Sequence, residues 1–414
     1  MAVVLIGTLD TKGQETAFAR DLLRAQGLET IVIDVGSGSD PTIEPDVSRD
    51  EVFRRAGTSA RAVIERGDRG EAVSLAAGGV VAVVADLASL GRVQGVFGLG
   101  GSAGTVIGSA VMRSLPFGLP KVMVSTLASG QTRPFVGSSD IAMFHPVADL
   151  SGLNRLTRRA LGNAAHALAG MIRGSQAIEG EADARPVVAA SMFGVTTPCV
   201  DRARRRLEAS GFEVLVFHAT GSGGQTMESL IRDGQVDAVL DLTTTELADE
   251  LVGGILSAGP DRLGAAVERG IPQVVSVGAL DMVNFGPRDT VPDRFLGRSF
   301  HAHNPSVTLM RTTAEENAEL GRRIASALRR AIAPVAVLLP LGGVSALDAP
   351  GGPFRDPEAD SALFGAIRDG LAGLANVRVI ERAEHINDPA FADAAADALA
   401  ELLPPPPNFQ APHS

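Results

Sequence analysis

Ala2-Val3-Val4-Leu5-Ile6-Gly7 at the start of the chain and Pro186-Val187-Val188-Ala189-Ala190, with its turn at Gly194, near the middle are the two segments on which the fold depends. Each is a short apolar run that feeds a stretch of helical periodicity. An apolar run without polar alternation suits a strand whose sheet is covered on both faces, so both segments predict parallel strands heading βαβ units. Runs at 30–35, 95–98 and 121–125 continue the pattern through the first half.

The two segments open a repeated plan. The helices after them stop at Gly27 and Gly211, and Glu29-Thr30-Ile31-Val32 and Glu213-Val214-Leu215-Val216 follow. Gly36-Ser37-Gly38 then parallels Gly221-Ser222-Gly223, and Gly118-Leu119-Pro120-Lys121-Val122 parallels Gly270-Ile271-Pro272-Gln273-Val274. The last shared piece is a turn plus helix, at His145-Pro146-Val147 and Asn304-Pro305-Ser306. Matches in one order predict an α/β chain of two Rossmann-like parallel-sheet domains related by internal duplication. The first domain spans 1–180 and binds a nucleotide; the second spans 181–403 and gains strands at 335–339 and 377–380. Residues 404–414 form a Pro-rich tail, and the polar stretch 174–185 reads as the boundary.

Composition narrows the functions. At 414 residues, with 45% hydrophobic and 21% charged residues, the chain has enough apolar surface for two cores. A net charge of -11, no Trp and no Tyr argue against a nucleic-acid partner, which requires cationic patches and stacking rings. The single cysteine, Cys199, rules out an intrachain disulfide, and no basic leader precedes the first strand, so a cytoplasmic location is expected. No membrane is expected either, because Gly, Pro or a charge interrupts each apolar run before the roughly 18 residues a span requires.

In doubly wound sheets anions collect beyond the carboxyl ends of the strands, at helix N-termini. Gly7-Thr8-Leu9-Asp10-Thr11-Lys12 follows the first strand; Thr11 and Gln14 form a candidate capping box, and Lys12 adds a cation. Gly98-Leu99-Gly100-Gly101-Ser102-Ala103 fits G-x-G-x-x-A without the acidic residue about 20 positions on, so it predicts phosphate binding and not nicotinamide specificity. Ser129-Gly130 and Gly137-Ser138-Ser139-Asp140 are further small-residue turns. Asp140 is a candidate for a ribose hydroxyl or hydrated Mg²⁺, and Asp34, beside Gly36, for a ribose hydroxyl. Each loop also has an ordinary reading as a plain connection.

The second half carries different chemistry. Cys199, just past a turn at a helix start, is a candidate nucleophile, with His218 as its base. Glu246, Asp281 and Asp348 complete a set of candidate catalytic groups on loops. His301 and His303 share a strand face and offer a zinc alternative, although strand geometry explains the spacing by itself. Buried packing of a small apolar thiol and turn formation by Asp and Gly are the bland alternatives.

Gly7 to Lys12, Gly152-Leu153-Asn154-Arg155, Met192 to Val200, Leu242 to Gly254, Gly278 to Gly286, Leu347 to Phe354 and His385 to Ala390 together resemble the family built around the ATP-binding domain of the tomato mosaic virus resistance protein. The likeness spans residues 2–403. It implies two Rossmann-like subdomains, ATP with Mg²⁺ on the first, and a homodimer. Carried onto this chain, it implies nucleotide contacts at Gly7, Thr8, Asp10, Lys12, Gly100, Gly101, Ser102, Ser129 and Gly130, with Gln131 standing where relatives more often have Asn. Plant and fungal members carry an additional barrel domain, so a separate barrel-domain enzyme is an implied partner. No reaction follows from the resemblance. Three functions therefore stay open: an ATP-binding protein with a site for a small carboxylated metabolite in the second domain or the cleft between domains; a ligase, lyase or hydrolase in its own right; or a non-catalytic scaffold that ATP stabilises.

Overall fold

Along the first strand, β1 (Ala2–Gly7), every residue is buried, and successive side chains enter different cores. Val3 and Leu5 pack with α1 (Leu9–Ala25), whereas Val4 and Ile6 pack on the opposite face. Side chains alternate across a strand, so an unbroken apolar run serves two helical layers at once. The computed structural model describes residues 1–178 and 185–403, and the chain divides into two compact units, within Met1–Ala182 and Asp183–Ser414. The expected tail at 404–414 lies outside the described residues.

The first unit continues through β2 (Thr30–Asp34), α2 (Arg49–Arg55), α3 (Ala60–Arg66), α4 (Arg69–Ser89), β3 (Val93–Gly100), α5 (Ser102–Arg113), β4 (Lys121–Ser125), α6 (Arg133–Val136), β5 (Ala142–Phe144) and α7 (Arg155–Ile178). Its five strands are all parallel, in the order β2-β1-β3-β4-β5. Helix α7 runs to Ile178, into the first residues of the stretch read as a boundary; its periodic apolar residues up to Ile172 are buried against β3 and β4.

Helix α4 corrects the expectation that every apolar run is interrupted too early. It is long and apolar enough to cross a membrane, because Gly78 and Gly79 do not break it and Asp86 lies near its end. Here it packs on α2 and α5.

The second unit comprises β6 (Val187–Met192), α8 (Thr197–Ala209), β7 (Glu213–His218), α9 (Ser222–Arg232), β8 (Ala238–Thr243), α10 (Glu246–Val252), α11 (Ala265–Arg269), β9 (Gln273–Gly278), β10 (Met282–Phe285), β11 (Phe300–Asn304), β12 (Val307–Arg311), α12 (Ala314–Leu328), β13 (Val335–Pro340), α13 (Pro357–Leu371), β14 (Val377–Arg382) and α14 (Pro389–Leu402). Its parallel sheet runs β7-β6-β8-β9-β13-β14, the order of the first unit with one strand added. The duplicated Rossmann-like plan is therefore real in topology.

One predicted equivalence fails. Asn304-Pro305-Ser306 does not lead into a helix; it turns the chain between β11 and β12 of a small antiparallel sheet, ordered β10-β12-β11. The Asn304 side chain accepts the Ser306 N–H at 2.8 Å, which closes a local turn without helix. The place of β5 in the order is taken by β13, which the sequence pattern had suggested was an addition.

Candidate functional site

At the carboxyl ends of β1, β2 and β3 the first unit encloses a cavity of about 460 Å³. Thr8, Asp10, Thr11 and Lys12 come from the start of α1; Ser37 and Gly38 follow β2; Gly101 to Gly104 open α5. Helix α5 begins after Gly101 with no side chain capping it and no acidic residue in its first turn. Its leading N–H groups and the positive end of its dipole thus face the cavity. Lys12 and Arg69 line the same cavity, and among the described residues neither is paired with a carboxylate.

The start of α1 is built differently. A first turn from Leu9 meets a kink at Lys12 (φ -126°, ψ 18°), and the Thr11 hydroxyl bonds Thr8 and does not form the expected capping box with Gln14. Instead Asp34 Oδ1 accepts the N–H groups of Leu9 (3.0 Å) and Gly36 (2.9 Å). Asp34 is wholly buried, and burial pushes its carboxyl upward against the pull of those amides. It shapes the two loops through Oδ1, its Oδ2 has no partner among the described residues, and it is not among the residues that line the cavity, where it was expected as a ribose ligand. Asp10 Oδ2 accepts the Gly38 N–H at 2.8 Å, while Asp10 Oδ1 has no hydrogen-bond partner. A Cβ on Gly36 would come within 2.9 Å of the Asp10 carboxyl, so glycine there lets the loop close around it.

The other glycines divide. Gly101 and Ser102 line the cavity. Gly7 and Gly98 are packing positions, where a Cβ would meet Thr16 Oγ1 at 2.5 Å and Met123 Sδ at 2.6 Å. Gly100 makes the strand-to-helix turn at φ 154°. Ser129 and Gly130 lie on the loop after β4, outside the cavity wall. Asp140 lies at the opposite end of the sheet, ahead of β5: its oxygens take Lys121 Nζ (2.6 Å) and the Gly118 N–H (2.8 Å), so it neutralises a buried lysine and reaches no nucleotide site.

Sequence reasoning missed Arg69 and Asp149 on the cavity wall. A signal for Arg69 was present: Asp68 caps the Glu71 N–H, so Asp-x-x-Glu marks a helix start and sets Arg69 in its first turn.

In the second unit the candidate catalytic groups are dispersed. Cys199 is wholly buried in the core beneath α8, and desolvation pushes its thiol up to about 12, the reverse of what a nucleophile requires. His218 is exposed at the end of β7, 5.7 Å ring to ring from Phe193, and no hydrogen bond joins it to Cys199. Glu246 is wholly buried: Oε1 accepts the N–H groups of Gly221 (2.7 Å) and Gly224 (3.1 Å), and Oε2 accepts Arg262 Nε (2.8 Å). The Arg262 guanidinium also binds Asp241 and Glu228, so Glu246 belongs to a sealed ion cluster and is not placed for catalysis.

Asp281 and Asp348 are brought together, both wholly buried. Ser345 Oγ donates to Asp281 Oδ2 at 2.7 Å, and burial pushes Asp281 up to about 7, with Arg311 opposing and Asp348 reinforcing. Asp348 Oδ2 accepts the Val344 N–H at 2.9 Å, and its loop is braced by Arg355 and Asp360. Among the described residues no group of three or more His, Cys, Asp or Glu side chains is arranged to hold a metal, and His301 packs edge-on against Phe354.

Fold and site together define a duplicated, doubly wound α/β protein whose first half keeps an open cavity at its strand ends and whose second half fills that region with its own side chains. The chain belongs to the uncharacterised protein family UPF0261, matching its N-terminal domain over residues 1–177 and its C-terminal domain over 185–403. It is 49% identical to a UPF0261 protein of Clostridium tetani over 97% of this chain and 98% of that one, and 47% identical to one from Mesorhizobium japonicum over 96% and 98%. The ToMV resistance protein Tm-1(GCR237) of Solanum lycopersicum is 48% identical over 76% of this chain and 42% of its own length. The family likeness read from the motifs holds.

Proposed function

We propose that the first half binds ATP as its magnesium complex. The observation that carries this reading is the uncapped N-terminus of α5 facing a cavity of about 460 Å³ that is also lined by two cations, Lys12 and Arg69, neither of them paired with a carboxylate among the described residues. A volume of that order suits a nucleotide-sized ligand. Free N–H groups at a helix start whose first turn carries no acidic residue favour a phosphate. Asp10, whose Oδ1 lacks a partner, fits Mg²⁺, which takes one or two carboxylates together with phosphate oxygens. When bound, the metal would neutralise phosphate charge, leaving Lys12, Arg69 and the α5 amides to orient the chain of phosphates.

The enzyme reading is weaker, since its nucleophile is a buried neutral thiol and Glu246 is committed to Arg262. A small carboxylated metabolite remains part of the proposal for the second half, where Arg323 and Arg330 line a cavity of about 320 Å³. Calorimetric titration of Mg-ATP into wild type and Lys12→Ala tests the nucleotide site. Loss of a charged contact lowers affinity roughly tenfold or more. Equal affinity would remove Lys12 from the site, and no binding to wild type would remove the proposal.

A further inference from the structure

Beside the cavity, the loop from β5 to α7 places a β-branched residue where the backbone resists one. Val147 has φ 67°, one of three non-glycine residues with positive φ among the described residues, and the residue is 76% exposed. The N–H of Ala148 donates to the carbonyl of Pro146 at 2.7 Å, so Val147 is the centre of a three-residue turn with positive φ, a rare and strained form. The ends of the segment are fixed: Pro146 and Leu150 are buried, and the Gly152 N–H is held by Glu15 Oε1 at 2.7 Å. Only residues 147–149 are free between these anchors, and Asp149 lies on the cavity wall with Lys12 and Ser102. This conformation therefore combines local strain with a carboxylate beside the phosphate seat.

We infer that residues 147–149 form a strained flap which moves when a phosphorylated ligand enters, releasing the strain at Val147 as Asp149 leaves the wall. The inference rests on the nucleotide reading above and adds a regulation to it. The described conformation and an anion beside Asp149 oppose each other electrostatically, and a segment pinned at both ends relieves that opposition by a local turn change. Strain released on binding adds to affinity, because a ligand draws on any free-energy difference between two conformations.

The test compares wild type, Val147→Asn and Val147→Gly by thermal melting without ligand and by calorimetric titration of Mg-ATP. Asn and Gly accept positive φ more readily than a β-branched residue. Val147→Asn is expected to melt higher than wild type. Both variants are expected to bind Mg-ATP about fivefold or more weakly, since strain already removed can no longer be released by ligand. Unchanged affinity in both variants, with wild type binding, overturns the flap alone. A Val147→Asn melting point no higher than wild type overturns the strain on which it depends. Absence of Mg-ATP binding in wild type overturns the nucleotide reading, and the flap with it.

Discussion

In both halves a glycine-rich loop follows the second strand, and in both a carboxylate of the chain accepts its N–H groups, but the carboxylates come from different places. In the first half Asp10, from the helix after the first strand, holds Gly38. In the second, Glu246, from the helix after the third strand, holds Gly221 and Gly224. That helix, α10, corresponds in sheet order to α5. It begins with Glu246 and Asp249 in its first turn, whereas α5 begins with Gly-Ser-Ala-Gly and no acid. One scaffold therefore presents a positive helix end to a cavity in one copy and neutralises it internally in the other. The comparison teaches that the site is decided by a few loop residues and not by the fold.

The largest expected effect comes from breaking the internal neutralisation. Arg262→Met leaves Asp241, Glu246 and Glu228 buried without their cation, which costs about 3–5 kcal/mol. Hydrogen exchange read by mass spectrometry should show β8 and α9 losing protection while the first half keeps its own. Uniform loss across both halves would show that the halves do not differ in this way. With no Trp or Tyr in the chain, exchange is a better reporter than intrinsic fluorescence.

A smaller effect follows from copying the acidic start of α10 into α5. Ser102→Asp puts a carboxylate on the exposed first turn of α5, so Mg-ATP affinity should fall about tenfold while stability holds or rises slightly, an acid being favourable at a helix N-terminus. Unchanged affinity would mean that this helix end is not where the phosphates sit.

The smallest effect is a pH dependence centred on Asp249 in the second half. Burial raises Asp249 from an ordinary carboxylate value to about 7, against the pull of hydrogen bonds from Asn284 and Leu256. A carboxyl whose folded value is raised stabilises the protein fully below its unfolded value near 4, and that contribution is lost as pH rises through the folded value. For this group the loss is about 1 kcal/mol between pH 6 and pH 7. Asp249→Asn removes the titration, and rotation of the Asn284 amide, whose Oδ1 has no partner, can accept the new N–H. Exchange protection around α10 that responds to pH identically in variant and wild type would locate the dependence elsewhere.

The parallel strands, both Rossmann-like sheets and the loops bearing Thr8, Asp10, Lys12, Gly101 and Ser102 were legible in the linear chain, because burial on two faces imposes unbroken apolar runs and tight turns impose glycine. Asp34 and Asp140 were misread for a common reason. Each looked like a loop carboxylate open to a ligand, and what engages it, the amides of Leu9 and Gly36 on Asp34 Oδ1 or the ammonium of Lys121 on Asp140, is set by which segments meet in space. Arg69 was overlooked because its helix lies far along the chain from the loops it joins.

Local sequence determined the strands, the turns, the duplicated order and the family, since these follow from periodicity and from the steric demands of single residues. Tertiary structure alone decided that Cys199 is a buried core thiol whose ionisation is disfavoured, that Glu246 serves Arg262, and that one helix start out of two equivalent ones faces open space. Ionisation and accessibility depend on dielectric surroundings and on partners distant in the chain, which no local pattern of residues encodes.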